Sequence, residues 1–264
     1  MNVEKPSREL SIGEILSLTL NLYLSKFLQF FLPFLIAGII TGLSTYAITS
    51  SFPLPTPPPP SMRPSYQETF EWFSAFLSTV IIIGVLSALV TLIVTTPTTG
   101  IIIKYASDQI EKGTSNLGAS LNFIISKLPS LLIAQFITGI LTAIGMLLFF
   151  IPGIIISIMF LLIIPAIIVE QKGAFESFGR SRRLVSNRWL KTFALLLIVG
   201  TILGTVIGIV NLLTLPLNST YPNISFLIIN IAFSFVAPIS PIAITYLYYA
   251  MVAREIPPPP QPPF

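Results

Sequence analysis

The chain contains no cysteine and no histidine, and only 9% of its residues are charged. Without cysteine there is no disulfide and no thiolate chemistry, and the redox state of the compartment has nothing to act on. Without histidine, the commonest general base and metal ligand at neutral pH is missing. Ten acidic residues remain, and no two of them form a convincing pair inside an apolar stretch. The chain therefore reads as a non-enzyme with no catalytic, metal-binding or cofactor-binding residue and no cofactor. The scarcity of charge excludes more. Soluble domains carry about a quarter charged residues, whereas here 53% are hydrophobic and the mean hydropathy is +0.89. Such a chain has too little polar surface to cover itself, so its solvent is a bilayer. The location read from this is the cell membrane.

A helical span needs about 20 mostly apolar residues. Six segments qualify, near 27–49, 73–95 (with a helical extension to about 112), 129–150, 154–170, 190–213 and 225–250. The apolar run Phe27–Ile48 is too long for a signal peptide and lacks a cleavage site, so it reads as an uncleaved first span. Ile151-Pro152-Gly153 is expected to form a tight turn between the third and fourth spans. The alternative is one long span over 129–170 with a re-entrant piece. Pro165 is expected to kink the fourth span, and Pro238 and Pro241 to hinge the sixth. In Thr95-Thr96-Pro97-Thr98-Thr99-Gly100, the threonines are expected to recapture the carbonyl that proline frees. The same hydroxyls also suit a ligand site.

Charge then fixes an orientation. With the N-terminus inside, residues 1–26, 104–128, 171–191 and 251–264 lie on the cytoplasmic side and hold thirteen of the fourteen Lys and Arg residues. Cytoplasmic loops are expected to carry that excess. The sequons at Asn218 and Asn223 fall in a predicted external loop, where glycosylation is possible chemistry. The predicted class is an all-α, polytopic integral membrane protein. It has six transmembrane helices, three cytoplasmic-side interfacial amphipathic helices and both termini inside, in a single membrane domain over 1–264.

The three interfacial helices precede odd-numbered spans. The first begins SIGE, a capping box of Ser11 and Glu14, and carries a polar stripe at Glu14, Ser17, Asn21 and Ser25. The second is NLGASLNFIISKLPSLL, and the third is KGAFESFGRSRRLVSNRWLK. Lys26, Lys127 and the Arg188-Trp189 pair stand at equivalent bends into the membrane, as in an internal repeat. Six basic residues crowd the third helix. Each contributes about 1 kcal/mol beside an anionic leaflet and costs about 2.5–3.5 kcal/mol at mid-bilayer. Lys26, Lys127, Arg180, Arg182, Arg183, Arg188, Trp189 and Lys191 are therefore assigned to the lipid headgroups. No nucleic-acid-binding motif accompanies them, and the predicted partners are membrane lipids. A protein partner at a Pro-rich segment, or a second copy of the chain, is the further option.

Gly38 and Gly42 in span one, and Gly200, Gly204 and Gly208 in span five, form small-residue stripes suited to close helix packing within the chain or between copies. Gln135, Asn211, Asn230, Thr245 and Tyr246 are the polar residues available to line an intramembrane path. The Pro-rich loop at 51–68 and tail at 256–264 form stiff polyproline rods, either spacers or ligands for an aromatic groove.

RELSIGEILSLTLNLYLSKF, FFIPGIIISIMFLLIIPAIIVE, GAFESFGRSRRLVSNRWLKTFALLL and PIAITYLYYAMVAREI resemble, in the same order, blocks of the prokaryotic family named after the membrane domain of glycerophosphoryl diester phosphodiesterase. The resemblance implies a six-span membrane module. The catalytic barrel behind that family's name is absent here, and the Ile-rich, His-free composition has an archaeal look. Two functions follow as expectations. The first is a non-enzymatic protein that organises the bilayer or partner proteins. The alternative is a permease or a lipid or small-molecule transporter with no intramembrane charge.

Because the chain lacks native thiols, single-cysteine variants report topology cleanly. Phe178→Cys and Pro262→Cys are expected to label only from the cytoplasmic side of oriented vesicles; external labelling at either position overturns the orientation.

Overall fold

The computed structural model describes residues 5–59, 64–218 and 222–255, all helix or connection, with no strand among them. The helices are α1 Ile12–Ser25, α2 Phe27–Ser51, α3 Tyr66–Lys112, α4 Leu117–Leu148, α5 Phe150–Met159, α6 Ile163–Val169, α7 Ala174–Ser186, α8 Trp189–Asn218, α9 Pro222–Val236 and α10 Ile239–Glu255. Six stretches are long and apolar enough to cross a membrane: Phe27–Ser51, Tyr66–Lys112, Leu117–Leu148, Phe150–Val169, Trp189–Leu217 and Ile224–Glu255. The fourth is α5 and α6 together, and the sixth is α9 and α10. The Pro-rich tail and the side chains of Asn218 and Asn223 lie outside the described residues.

Capping starts the helices where the sequence signals them. Ser11 accepts from the Glu14 backbone N–H while the Glu14 carboxylate accepts from Ser11, closing the capping box of α1. Ser65 and Glu68 do the same for α3. That helix runs 47 residues without a break, straight through Pro97. The carbonyl freed by Pro97 belongs to Ile93. The threonine hydroxyls instead bond its neighbours, Thr98 to the Val94 carbonyl at 2.7 Å and Thr95 to that of Thr91. They brace the turn on either side of the gap instead of filling it.

The turn between α4 and α5 also differs from the expectation. It is made by Phe149 alone, in an extended conformation, and Pro152 and Gly153 belong to the first turn of α5. Proline is tolerated there because that N–H has no partner in any case. Gly153 serves close approach: a Cβ on it would sit 2.7 Å from Met146 Sδ.

Two of the span-length helices are broken, and each break is stitched by a hydroxyl from a shorter helix. α5 ends at Met159 and α6 resumes at Ile163, two residues before Pro165. Ser181 of α7 donates to the Met159 carbonyl at 2.6 Å and accepts from the Leu162 N–H at 3.1 Å. Phe178 of α7 packs edge-on against Phe160 in the same gap. The second break lies at Ala237–Pro238 between α9 and α10. There Tyr23 of α1 donates to the Phe235 carbonyl at 2.6 Å. In an apolar medium an unpaired backbone group costs several kcal/mol, so a break persists only where another group satisfies it.

The three predicted interfacial units are therefore not alike. α1 and α2 are separate helices, hinged at Lys26, and α7 and α8 separate at Asn187–Arg188. In the middle unit, however, α4 runs unbroken from Leu117 through Lys127 and Pro129.

The span-length helices touch in a closed order: α5 with α4, α4 with α3, α3 with α2, α2 with α9, α9 with α8, and α8 more sparingly with α5. The break at Pro238 lets α10 turn into this ring, where α1, α3, α6, α7 and α8 pack around it. Tyr246, Tyr248 and Tyr249 are its largest buried side chains. The Tyr249 hydroxyl meets that of Ser107 on α3 at 2.6 Å.

At the far end of α10 the four basic segments meet in ion pairs. Glu9 takes Arg188 at 2.9 Å and Lys191 at 2.7 Å, with Arg254 at 4.0 Å. Arg180 spans Glu170 and Glu255, each at 2.7 Å. Lys5 reaches Glu111 at 3.2 Å. Arg188 depresses the Glu9 carboxyl to about 2 against the upward push of desolvation, with Lys191 adding to the effect. A depressed carboxyl stabilises the fold above its ordinary range and loses that contribution as pH falls towards its folded value. Glu9→Gln is therefore expected to destabilise the detergent-solubilised protein by about 1–3 kcal/mol at pH 7. It should also flatten the loss of thermal stability between the ordinary value near 4.5 and about 2, measured by unfolding midpoints across that range.

Candidate functional site

A chamber of about 550 Å³ opens above α10. Its walls come from Thr95, Thr96 and Thr99 of α3, Gln135, Thr138 and Thr142 of α4, and Ser157 of α5, with Ile164 and Ile244 of α6 and α10 on its lining. The polar residues of α4 recur at positions 135, 138 and 142, spacings of three and four that set them on one face of the helix. Thr138 and Ser157 donate to the carbonyls of Ala134 and Gly153, at 2.8 and 2.9 Å. Their oxygens remain able to accept. Gln135, Thr96, Thr99 and Thr142 have no hydrogen-bond partner among the described residues. A side-chain amide carries two donors and an acceptor, and leaving it unpaired away from water is costly. The chamber's wall thus sets these hydrogen-bonding groups among apolar ones, Phe160, Leu161, Ile164 and Ile244.

No charged residue among the described ones lines it. Beside it, between α3 and α4, lies a groove of about 590 Å³ that shares Thr95, Thr96, Gln135, Gly139 and Ala143. The groove's remaining wall is apolar, including Val85, Leu89, Phe136 and Ile140. The pair thus joins an uncharged interior of mixed polar and apolar lining to a more apolar flank. Gly139 stands where they meet, with open space where its Cβ would lie. No group of three or more His, Cys, Asp or Glu side chains capable of holding a metal occurs among the described residues.

Of the five residues assigned to an intramembrane polar path, only Gln135 reaches this chamber. Asn211 lies exposed on α8, bonded to the Ile207 carbonyl of its own helix. Asn230 bonds Phe226 and Thr245 bonds Pro241 in the same way. The Tyr246 hydroxyl is buried without a partner among the described residues. These residues do not form one path, because the short amide and hydroxyl groups of the first three find the carbonyl one turn earlier. Thr138, Thr142 and Ser157 were not singled out from the sequence, although the 135, 138, 142 spacing was a readable signal.

The basic residues also divide. Arg180, Arg188 and Lys191 spend their charge on carboxylates instead of facing outward to headgroups. Burial would lower the Arg180 pKa, but Glu255 and Glu170 outweigh it and raise it. Glu170 is pushed up by burial but ends below its usual range, held by the Tyr248 hydroxyl at 2.5 Å and by Arg180. Lys26, Lys127, Arg182 and Arg183 form no ion pair among the described residues, and Trp189 is half exposed.

The glycine stripes separate in the same manner. A Cβ on Gly38 would lie 2.7 Å from Ser234 Oγ, and one on Gly42 would touch Asn230 and Phe226, so this stripe packs α2 on α9. Gly200, Gly204 and Gly208 face open space, which contradicts internal packing for them. Pro165 lies in α6 just past one break; Pro238 lies in the other and Pro241 in the first turn of α10 beyond it, both buried. Part of the Pro-rich loop is tied down where Trp72 donates to the Pro55 carbonyl at 3.2 Å.

The void makes a paired prediction. Gly139→Leu fills open space and replaces a poor helix former, so it should leave stability unchanged or raise it by up to about 1 kcal/mol. Gly153→Ala forces a clash with Met146 and should cost about 1–3 kcal/mol. Unfolding midpoints of the two variants in detergent check the contrast.

No curated protein and no solved structure matches the chain. A family model matches residues 19–255, which include all the helices of the chamber. The chain belongs to the family described as a domain of unknown function, DUF7847.

Proposed function

We propose that the chain is a non-enzymatic, multi-pass integral membrane protein that takes an uncharged, hydrogen-bonding amphiphile from the bilayer into the chamber between α3, α4 and α5. The observation that carries this reading is the chamber itself. It offers an unpaired amide and hydroxyls, has no charge, and abuts an apolar groove through the gap at Gly139. An ion-coupled carrier needs a buried charge in its pathway, and a phosphate headgroup needs cations that are absent from these walls. A hydroxyl, ester or amide head with an apolar tail meets the lining on both counts. The lipid-transporter alternative thus gains over the organiser. The organiser reading relied on three surface helices, yet the middle one is simply the start of α4, and α7 buries Ser177, Arg180 and Ser181 beside Leu184 and Val185, committing much of its polar face to internal contacts.

The orientation follows from charge. The ion-paired end joins residues 5–9, 111, 170–191 and 254–255, and the Lys/Arg excess assigns that end to the cytoplasm. α10 then closes the chamber on the cytoplasmic side. The chamber accepts its ligand laterally or from the external half.

Photo-crosslinking in proteoliposomes tests the reading. A photoactivatable diacylglycerol should label α3 and α4, while an equally hydrophobic photoactivatable phosphatidylglycerol should not. Gln135→Leu should weaken the diacylglycerol labelling about tenfold, the worth of one hydrogen bond, and Gly139→Leu should abolish it. Equal labelling by the anionic probe, or unchanged labelling in a folded Gly139→Leu variant, sinks the reading.

A further inference from the structure

The seam between α5 and α8 is the sparsest contact in the helix ring, and α7 passes beneath it. A groove of about 340 Å³ opens there. Ile155, Ile158 and Met159 of α5 and Val185 of α7 form its apolar wall, and Arg182 and Trp189 stand at its rim. A second hollow of about 560 Å³ adjoins it, lined by Glu9, Arg188 and Lys191 and sharing Ser186 and Trp189 with the first. The two form one surface that grades from charged to apolar.

Charge decides what this surface holds. Among the described residues Glu9 is the only carboxylate lining either hollow, and it is already matched by Arg188 and Lys191 at 2.9 and 2.7 Å. Arg182 is exposed and makes no ion pair or hydrogen bond among the described residues. The mouth is therefore net positive, with one uncommitted guanidinium. Its planar fork matches the oxygens of a phosphate. The wall below it has no use for a soluble anion but fits a hydrocarbon chain. Trp189, 50% exposed, has the apolar ring and polar N–H suited to the boundary between the two.

We propose that this seam is a specific site for one anionic phospholipid, with its phosphate on Arg182 and a chain along Ile155, Ile158 and Met159. The lipid completes the ring where the protein's own helices touch least. The site is independent of the chamber, whose lining shares none of these residues.

The two tryptophans, Trp72 and Trp189, make the test direct. In a Trp72→Phe background, Trp189 is the sole indole. The protein is reconstituted in phosphatidylcholine vesicles containing either brominated phosphatidylglycerol or, at the same mole fraction, brominated phosphatidylcholine. Phosphatidylglycerol should quench Trp189 several-fold more effectively. Arg182→Gln should erase that preference, and Arg183→Gln, which lies outside the groove, should retain it. Excess inorganic phosphate should leave it unchanged. Equal quenching by the two lipids, or a preference that survives Arg182→Gln, overturns the site. Loss of the preference to inorganic phosphate, but not to equal ionic strength of chloride, would make it a site for a free anion and overturns the lipid assignment too.

Discussion

The break between α9 and α10 is the constraint on which the rest of the molecule depends. A continuous helix through residues 222–255 would stand in the ring like its neighbours and leave the ring's centre without a core. Pro238 stands in the interruption and Pro241 in the turn after it, and α10 buries twelve of its seventeen residues. Such an interruption exposes backbone groups that an apolar medium cannot solvate, so it survives only with a donor at hand. The Tyr23 hydroxyl supplies that donor to the Phe235 carbonyl. Ser181 does the same for the break between α5 and α6. This explains why α1 and α7 lie where they do: each carries a hydroxyl to a gap in a longer helix.

Once α10 is inside, its two ends face different problems. The end at Glu255 sits among basic side chains, and Arg180 joins it to Glu170 while Tyr248 bonds the same carboxylate. With so few acids in the chain, these pairings bring its separate basic segments to one end. The other end of α10 stops short of filling the space between α3, α4 and α5. There the chain sets threonines and a glutamine among Phe160, Leu161, Ile164 and Ile244 and leaves the space open. A packed core built for stability would fill this space with leucine or isoleucine, since voids cost free energy. Unpaired polar groups around an open chamber are better explained by an occupant than by packing, and that is the ground for the proposed binding of a neutral amphiphile.

The apolar runs made the six long helices legible in the sequence, and the capping box at Ser11 marked the start of the shorter α1. The interruptions near Pro165 and Pro238 were legible in the sequence, but proline alone does not mark a break. Pro33, Pro97 and Pro129 lie within unbroken helices, whereas Pro238 and Pro165 stand at breaks. The difference is tertiary: a break needs a donor from elsewhere in the fold, and local sequence does not contain one. The same reason hid the pairing of Arg180 with Glu255, 75 residues away, and made the basic helix look more available to lipid than it is. Gln135 was legible as an intramembrane polar residue, but its companions were not, because hydroxyls in apolar helices ordinarily bond their own backbone. Asn211, Asn230 and Thr245 do so.

The claim at the centre is that the chamber holds an uncharged amphiphile. Native mass spectrometry of the protein, extracted gently from its own membrane and released from detergent in the gas phase, measures this without choosing a ligand in advance. An occupied chamber predicts a stoichiometric adduct that carries no charge of its own and is absent from Gly139→Leu. A protein that flies bare under conditions that retain weakly held lipids, or an adduct that persists unchanged in Gly139→Leu, would contradict it.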